Sequence, residues 1–277
     1  MSGLHVLASY MKSGNTWVRA LLTALDDGHG TVDINALEGW AAADRAFFDE
    51  TLDVDTSDLL PEEQHRLRPQ AHRIATPPRA RSFPIKVHDA WLPAPGASEP
   101  PLPRECIAAV VLIVRDPRDV APSLATHLGR SIDEAIAFMA DPGATLINDG
   151  DQLRTQLPQF SSSWSAHTLS WLRSGLPLTV VRYENLLADP LPSLTAIARA
   201  FGRSASADQF SAAIAAARFD VLQAAEVRTG FREGSLKAPG RFFGSGEAGG
   251  WRSRLTEAQA DRIRRDHGAV MRELGYG

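Results

Sequence analysis

Short apolar runs of strand length alternate with amphipathic segments of helical spacing along most of the chain. The first run begins at His5, and after a polar turn it is followed by apolar residues at positions 18, 21, 22 and 25, the spacing of one helix face. Further strands are predicted at residues 82–88, 107–114 and 178–182. This alternation predicts a three-layer α/β fold, with helices flanking a central, mostly parallel sheet and ligands at the carboxyl ends of its strands.

Residues 107–114 are apolar at every position, which is typical of a central parallel strand that is buried on both faces. The predicted helices cover residues 44–50, 61–68, 117–124, 131–139, 161–173, 191–201, 207–217, 221–225 and 256–274. A loop is predicted at 141–151. We expect one domain over residues 1–277, in which residues 228–254, rich in Gly, Arg and aromatic side chains, form an ordered segment, here named the C-terminal flap.

The amino-acid composition and net charge of the chain indicate which kinds of partner it is expected to bind. Hydrophobic residues make up 44%, charged residues 22% and the net charge is -4, so nothing favours binding to nucleic acid or to an anionic membrane. Cys106 is the only cysteine, which excludes an intrachain disulfide and a cysteine metal cluster. The sequence contains no apolar run near the roughly 20 residues of a membrane helix, and no signal peptide is predicted. We expect a cytoplasmic protein whose basic residues act locally.

The polar turn after the first strand is a candidate phosphate site. The N-terminus of a helix presents unpaired N–H groups and a partial positive charge, which favour an anion. A lysine ammonium and two hydroxyls at the same turn would add further donors. The residues concerned are Lys12, Ser13, Gly14, Asn15 and Thr16.

Three other strand ends carry polar side chains. Lys86 and His88 stand at the end of the predicted second strand, on one side of it because side chains alternate. Arg115 directly follows the apolar strand at 107–114, and Asp116 and Pro117 after it suit the N-cap and first position of a helix. Tyr183 follows the fourth strand.

These stretches resemble motifs of the cytosolic-type sulfotransferases, which use 3'-phosphoadenosine 5'-phosphosulfate (PAPS). Residues 10–17, Tyr-Met-Lys-Ser-Gly-Asn-Thr-Trp, resemble the phosphosulfate loop, and residues 114–123 resemble the 3'-phosphate motif, with the same separation between its Arg and Ser. Residues 183–186 resemble the tyrosine-acidic motif, and Lys-Val-His at 86–88 resembles the strand end that supplies a lysine and the catalytic histidine. The likeness spans about residues 6–252, and the chain is identified as a bacterial-like member of this family.

The resemblance implies a metal-independent transfer of a sulfuryl group from PAPS to an acceptor hydroxyl or amine, leaving adenosine 3',5'-bisphosphate (PAP). His88 would be the base that takes the acceptor proton. Lys12 would stabilise the leaving bridging oxygen, and Lys86 would contact the sulfuryl oxygens.

The resemblance also implies the nucleotide contacts. Backbone N–H groups of residues 13–16 would hold the 5'-phosphate, and Arg115 and Ser123 would bind the 3'-phosphate. Trp17 and Tyr183 are the expected adenine contacts, by stacking and hydrogen bonding respectively.

The C-terminal flap departs from the family pattern, because Gly244 and Ser245 occupy the places of its Arg-Lys pair. Backbone N–H groups of Ser245 and Gly246 could bind the 3'-phosphate as a nest, or Arg241 or Arg252 could replace the charge. The oligomeric state stays open.

Two other functions are possible. A P-loop kinase or NTPase shares the order of strand, phosphate turn and helix, but a Walker A loop needs an earlier Gly, and Arg115 stands where a magnesium-binding Asp is expected. A non-catalytic PAP-binding protein would explain the missing Arg-Lys pair, but it would not need a base such as His88. The acceptor is expected to be a small molecule, and its pocket to draw on residues 37–78, 91–101 and 145–163, with His127 and His167 as further candidates; no motif there identifies it.

Overall fold

The structure is a computed structural model, and it describes residues 3–28, 30–75, 84–146, 155–234, 242–244 and 246–277. Six strands are present in these ranges: β1 (Leu4–Ser9), β2 (Ile85–Val87), β3 (Ile107–Val114), β4 (Thr145–Leu146), β5 (Gln159–Phe160) and β6 (Leu178–Arg182). The helices are α1 (Asn15–Asp27), α2 (Arg45–Leu52), α3 (Pro61–Ala75), α4 (Pro117–Leu128), α5 (Ile132–Ala140), α6 (Trp164–Leu172), α7 (Tyr183–Ala188), α8 (Pro190–Ala200), α9 (Ala207–Ala216), α10 (Phe219–Thr229) and α11 (Glu257–Glu273).

The central sheet is parallel and has four strands in the order β2-β1-β3-β6. Its strands correspond to the four strands predicted from the apolar runs. In the pairing of β1 with β2, Leu7 lies opposite Lys86 and Ala8 opposite Val87. Every residue of β3 is buried, which agrees with a central strand covered on both faces. The predicted α/β architecture is confirmed.

Several segments differ from the sequence-based prediction, which did not include α7 as a helix. The 141–151 stretch was predicted as a loop, but it contains β4, which pairs with β5 in a separate antiparallel sheet. Another difference is α3, which contains Pro69 and was predicted to end at Arg68. It continues to Ala75, since the turns after the proline bury Ala71 and His72 and their packing outweighs the hydrogen bond that a proline removes.

The chain is divided between two compact units. The first unit combines Met1–Tyr10, Gly39–Leu112 and Asp141–Thr179. Helices α2 and α3 pack on each other within it. Its buried side chains include a cluster in which each member is at most 1% exposed, formed by Ala43, Phe48, Ala71 and Leu157.

The second unit combines Met11–Glu38, Ile113–Ala140 and Val180–Gly277. In this unit α1 packs on α9, α4 packs on α5 and α11, and α8 packs on α9. The apolar positions 18, 21, 22 and 25 of α1 are all buried, as their helical spacing predicts. The single domain expected over residues 1–277 stays a prediction. None of the described helices is both long and apolar enough to cross a membrane.

Candidate active site

The loop after β1 has an unusual backbone. Lys12 has a φ of 60° and Gly14 a φ of 107°, so both lie on the left-handed side of φ/ψ space that glycine enters readily and lysine seldom does. Gly14 is the N-cap of α1, and in the part of the chain that the structure describes no side chain caps this helix end. An anion bound at this helix end would therefore meet its N–H groups and partial positive charge without a competing side-chain cap.

Ser13 is the most buried polar residue of this loop, with 1% of its surface exposed. Its Oγ has no hydrogen-bond partner among the described residues. A buried hydroxyl without a partner is costly, because it has lost water and gained nothing in return. The loop therefore contains a donor that a bound phosphate oxygen can satisfy.

Tyr183, at the start of α7, packs against the loop. A Cβ atom added to Gly14 would lie 2.8 Å from Cδ2 of Tyr183, so the close approach of the ring requires glycine there. The Trp17 ring meets Tyr183 edge-on at 5.7 Å between centroids, and its Nε1 donates to the Ala217 carbonyl at 2.9 Å. The Tyr183 hydroxyl donates to the Gly246 carbonyl at 3.0 Å, and burial raises the pKa of Tyr183, so this group stays protonated near neutral pH.

Arg115, directly after β3, links the loop to the C-terminal flap. Its guanidinium donates to the carbonyl oxygens of Lys12 and Glu247, each at 3.0 Å. The same group lies over the Tyr183 ring, 4.3 Å from its centroid, where the quadrupole of the ring attracts a cation. The buried Nε atom of Arg115 has no hydrogen-bond partner within the described ranges. The guanidinium is therefore held in place with one donor still available.

The ammonium of Lys12 faces an aromatic ring of the flap. Its Nζ atom lies 3.9 Å from the centroid of the Phe242 ring. Phe242 is held in turn by α10, because the carboxylate of Glu226 accepts hydrogen bonds from the backbone N–H groups of Phe242 and Phe243. The position of the lysine thus depends on the flap.

Asp119 on α4 holds the other end of the flap. Its carboxylate accepts hydrogen bonds from the backbone N–H groups of Gly249 at 2.6 Å and Trp251 at 2.8 Å. Asp116 caps α4 through the N–H of Arg118, and Pro117 occupies the first helical turn, as predicted. Because Asp119 follows Arg115 by only four residues, one short stretch of chain both binds the loop and anchors the flap.

The structure brings most of the predicted nucleotide-binding residues of the second unit into one connected set: Lys12, Ser13, Gly14, Trp17, Arg115, Tyr183 and Gly246. Asn15 and Thr16 form the first turn of α1 beside them. Ser123 is half-buried on α4. Ser245 and Arg241, offered as replacements for the missing Arg-Lys pair, lie outside the described residues. Arg252 lies over the Trp251 ring, 4.6 Å from its centroid.

His88 belongs to the first unit and directly follows β2. Its Nδ1 atom lies 3.0 Å from the carbonyl oxygen of Ser9, the last residue of β1. Oγ of Ser9 also lies 3.4 Å from this atom. Because the shorter contact is to the carbonyl oxygen, which only accepts, we assign the hydrogen to Nδ1 and the lone pair of the neutral ring to Nε2. This is the tautomer that a base acting through Nε2 requires.

Lys86 lies within β2, two residues before His88. Its backbone donates to the Trp40 carbonyl and accepts from the Ala42 N–H, at 2.8 and 2.9 Å. This pairing extends the edge of the sheet beyond β2 and fixes both the N–H and the carbonyl of Lys86 against residues 40–42. The half-buried lysine therefore stands on a rigid strand end.

His167 on α6 is a buried histidine in the same unit. Burial, and secondarily the charge of His88, lowers the pKa of His167 to about 3, so its ring is neutral near pH 7. The ring meets that of Tyr10 edge-on, with 5.4 Å between centroids, and burial raises the pKa of Tyr10. The side chains of His167 and Tyr10 are therefore both uncharged near pH 7.

Several of these contacts were missed by reasoning from the sequence. Phe242 and Glu226 carry no motif that points to Lys12, and the Ser9 carbonyl is a backbone group. Asp89 is a residue that the sequence could have indicated, because it is a carboxylate directly after His88, and the structure shows it to be buried. Its position in the sequence could have marked it as a partner of the base or of its backbone.

Within the described ranges, His, Cys, Asp and Glu side chains form no group of three or more that could hold a metal ion.

Comparisons with known proteins identify the family and the fold of this chain. A family model described as "Sulfotransferase domain" matches residues 5–275. A search of curated protein sequences finds no match. Among solved structures, mouse sulfotransferase SULT7A1 complexed with PAP is similar over 98% of this chain and 84% of its own, with 16% identity and a TM-score of 0.63.

Two structures of retinol dehydratase are similar to the same degree. The complex with androsterone and PAP has 17% identity over 96% of this chain and 80% of its own, with a TM-score of 0.63. The complex with retinol and PAP has 18% identity over 98% and 82%, with a TM-score of 0.63. These likenesses confirm the P-loop-like α/β fold. Because the family model covers nearly the whole chain, the protein belongs to the sulfotransferase-domain family.

Proposed function

We propose that this protein transfers a sulfuryl group from PAPS to a hydroxyl or amine group of a small-molecule acceptor, with His88 as the general base. Family membership supports sulfuryl transfer in general. The observation that carries the finer proposal is the hydrogen bond from Nδ1 of His88 to the Ser9 carbonyl, because it leaves Nε2 with the lone pair that a base needs. Ser9 ends β1, and the loop that carries Lys12 follows it directly in the chain.

The donors of the second unit fit a ligand that bears two phosphates. Ser13 Oγ and Arg115 Nε are buried without partners in the part of the chain that the structure describes. One belongs to the loop before α1 and the other follows β3, so they suit different phosphates. We propose that Ser13 and the N–H groups of residues 14–16 hold the 5'-phosphate and that Arg115 and Ser123 hold the 3'-phosphate.

The adenine ring is assigned to Trp17 and Tyr183, whose rings meet edge-on. In the structure the Tyr183 hydroxyl and the Arg115 guanidinium both donate to flap carbonyls, those of Gly246 and Glu247. We propose that, when the nucleotide binds, these donors break their hydrogen bonds to the flap carbonyls and donate to the nucleotide. Gly246 has a φ of 66°, the left-handed conformation found in backbone nests, so its N–H and that of Ser245 are the proposed replacements for the missing Arg-Lys pair.

The proposed roles follow from the charges that change during the transfer. When bound, PAPS supplies the sulfuryl group, whose sulfur–oxygen bond to the 5'-phosphate breaks as the acceptor's electron pair bonds to sulfur. Nε2 of His88 takes the proton that the acceptor releases, which is worth about 10²–10⁴ in rate for such a base. The Lys12 ammonium neutralises the electron pair left on the phosphate oxygen, and Lys86 contacts the sulfuryl oxygens.

The acceptor is proposed to be a small molecule. Retinol dehydratase was crystallised with small molecules of this kind, retinol and androsterone. In this chain the half-buried His88 lies near the uncharged, fully buried ring of His167. Such surroundings favour an acceptor that is neutral next to its reacting group, because burying a second charge there would be costly.

Calorimetric titration of three nucleotides tests the donor assignment. We expect PAP to bind more tightly than adenosine 5'-phosphate by at least about tenfold, because each charge-assisted hydrogen bond to the 3'-phosphate contributes about 1.5–3 kcal/mol. ATP with magnesium should bind more weakly than PAP. Preference for ATP would favour a kinase or NTPase. Equal affinity for PAP and adenosine 5'-phosphate would contradict the proposed 3'-phosphate site.

A further inference from the structure

A buried ion pair lies next to the proposed base in the first unit. Arg68 on α3 donates from both terminal nitrogens to the carboxylate of Asp89, at 2.8 and 2.7 Å. Both side chains are 0% exposed. Asp89 directly follows His88 in the chain, so whatever holds Asp89 also restricts the backbone of His88.

The pair is unlike the exposed ion pairs of the molecule, and stability alone does not account for it. Removing two charges from water is costly, and a buried pair is often no more stabilising than apolar residues of the same size. Two histidines on α3 have lowered pKa values beside this pair. Burial, and then the charge of Arg68, lowers the pKa of His65 to about 4 and that of His72 to about 3. Two histidines are kept neutral around a guanidinium that has only Asp89 to balance it among the described side chains.

Asp89 is held through both its side chain and its backbone. The carboxylate that pairs with Arg68 also accepts the Phe160 N–H at 2.9 Å, and the Asp89 carbonyl accepts from Nε1 of Trp171 at 3.1 Å. The next residue, Ala90, donates its N–H to the Phe160 carbonyl at 2.8 Å. The chain after His88 is therefore tied to α3, to β5 and to α6.

The chain before His88 is also held, because the N–H and the carbonyl of Lys86 are both bonded to residues 40–42 and Val87 pairs with Ala8 of β1. With the backbone fixed on either side, the imidazole has little freedom beyond its own side-chain torsions. One orientation of the ring brings Nδ1 to the Ser9 carbonyl. The ion pair is fully buried, with both side chains 0% exposed, and it is the charged contact among those that hold this strand end.

We propose that Arg68 and Asp89 are positioning residues for His88, which hold the strand end so that Nδ1 donates to Ser9 and Nε2 faces the acceptor. The proposal rests on the assignment of His88 as the base. Neither residue touches the reacting atoms, and both act through the backbone and the ring of His88. In this respect the pair works like the outer hydrogen bonds that orient the first residues of a catalytic site.

The test uses a double variant that removes both charges together. Loss of one partner would leave an uncompensated buried charge and endanger the fold, whereas Arg68→Gln/Asp89→Asn is neutral and keeps an acceptor for the Phe160 N–H. Arg68→Lys is the second variant, which keeps the charge but loses the planar fork. We expect both to fold, to bind PAP as the wild type does, and to lose about 10²-fold in kcat, the size of effect that a displaced catalytic group produces.

The matched control is Arg203→Gln/Asp26→Asn, which removes another bidentate pair, in the second unit, where Nε of Arg203 donates to Oδ1 of Asp26 and Nη2 to Oδ2. We expect its kcat to match that of the wild type.

A second readout does not depend on turnover. Two-bond ¹H–¹⁵N spectra of the histidine rings, at about pH 8 and so above the ordinary histidine pKa, should show His88 as the Nδ1–H tautomer in the wild type and in the control. In the double variant we expect a mixture of tautomers. A folded double variant with an unchanged His88 tautomer, or with wild-type kcat, would overturn the proposal. If the wild type transfers no sulfuryl group, the proposed function fails while the spectra still decide whether the pair positions the ring.

Discussion

At the scale of single residues, the loop after β1 combines strain with unmet hydrogen-bonding capacity. Lys12 adopts a left-handed backbone conformation, which costs about 1–3 kcal/mol in a residue other than glycine. Ser13 buries a hydroxyl without a partner among the described residues. Both features weaken the free protein, and both are what a loop built to receive a phosphate would show.

Ser13→Ala should change the stability of the protein and its affinity for PAP in opposite directions. We expect the variant to be more stable than the wild type without ligand, by about 1 kcal/mol, because an unsatisfied buried hydroxyl is removed. We expect it to bind PAP about tenfold more weakly, because a hydrogen bond to a charged phosphate is lost. Urea unfolding measures the first change and calorimetry the second.

The control for this prediction is Ser161→Ala. Ser161 is equally buried, but its Oγ donates to the Ala144 carbonyl at 3.1 Å. That variant should lose stability and keep its affinity for PAP. Equal effects of the two substitutions on stability, or an unchanged affinity in Ser13→Ala, would contradict the assignment of Ser13 to the 5'-phosphate.

At the scale of elements, α3 makes the strongest use of buried polar groups. His72 lies on its inner face, with its ring stacked on that of Phe47 at 5.2 Å between centroids. Burial, and then the charge of Arg68, lowers the pKa of His72 from 6.5 to about 3. His72 therefore binds a proton less readily in the folded protein than in the unfolded chain.

This difference predicts acid sensitivity. Because the pKa is lower in the folded state, the unfolded chain binds more protons, so the stabilisation from His72 is complete above about pH 6.5 and is lost as the pH falls towards 3. From about pH 6.5 to pH 5 we expect one such histidine to cost about 2 kcal/mol. In unfolding free energies measured by urea at both pH values, the wild type should lose about 2 kcal/mol more than His72→Leu on acidification. Parallel loss of stability in the two proteins would contradict this.

Elements with a strong local signal could be predicted from the sequence, and those that depend on distant contacts could not. β3 is apolar throughout and α1 follows a helical spacing, so their local pattern agrees with their final environment. The part of α3 beyond Pro69 was missed, because its persistence depends on the burial of Ala71 and His72. The two-residue strands β4 and β5 were missed because their pairing is set by tertiary context.

At the scale of the whole molecule, the same distinction separates the motifs of the site from the contacts that complete it. The loop and Arg115 could be recognised, because each directly follows a strand of a parallel sheet. The bond from Arg115 to the Glu247 carbonyl joins residues 132 positions apart in the chain, and the ring over Lys12 comes from Phe242. Such contacts are decided by the fold, so no local pattern could reveal them.

The central claim concerns the whole molecule, because the proposed function requires it to bind a sulfuryl donor and to deprotonate an acceptor. The most direct measurement is the transfer of labelled sulfur from PAPS to a panel of small phenols, alcohols, sugars and amines, by the wild type and by His88→Ala. We predict labelled product from at least one acceptor with the wild type and a loss of about 10²–10⁴-fold in rate with His88→Ala, while the two proteins bind PAP equally. Absence of labelled product from every acceptor, or equal rates in the two proteins, would contradict the account.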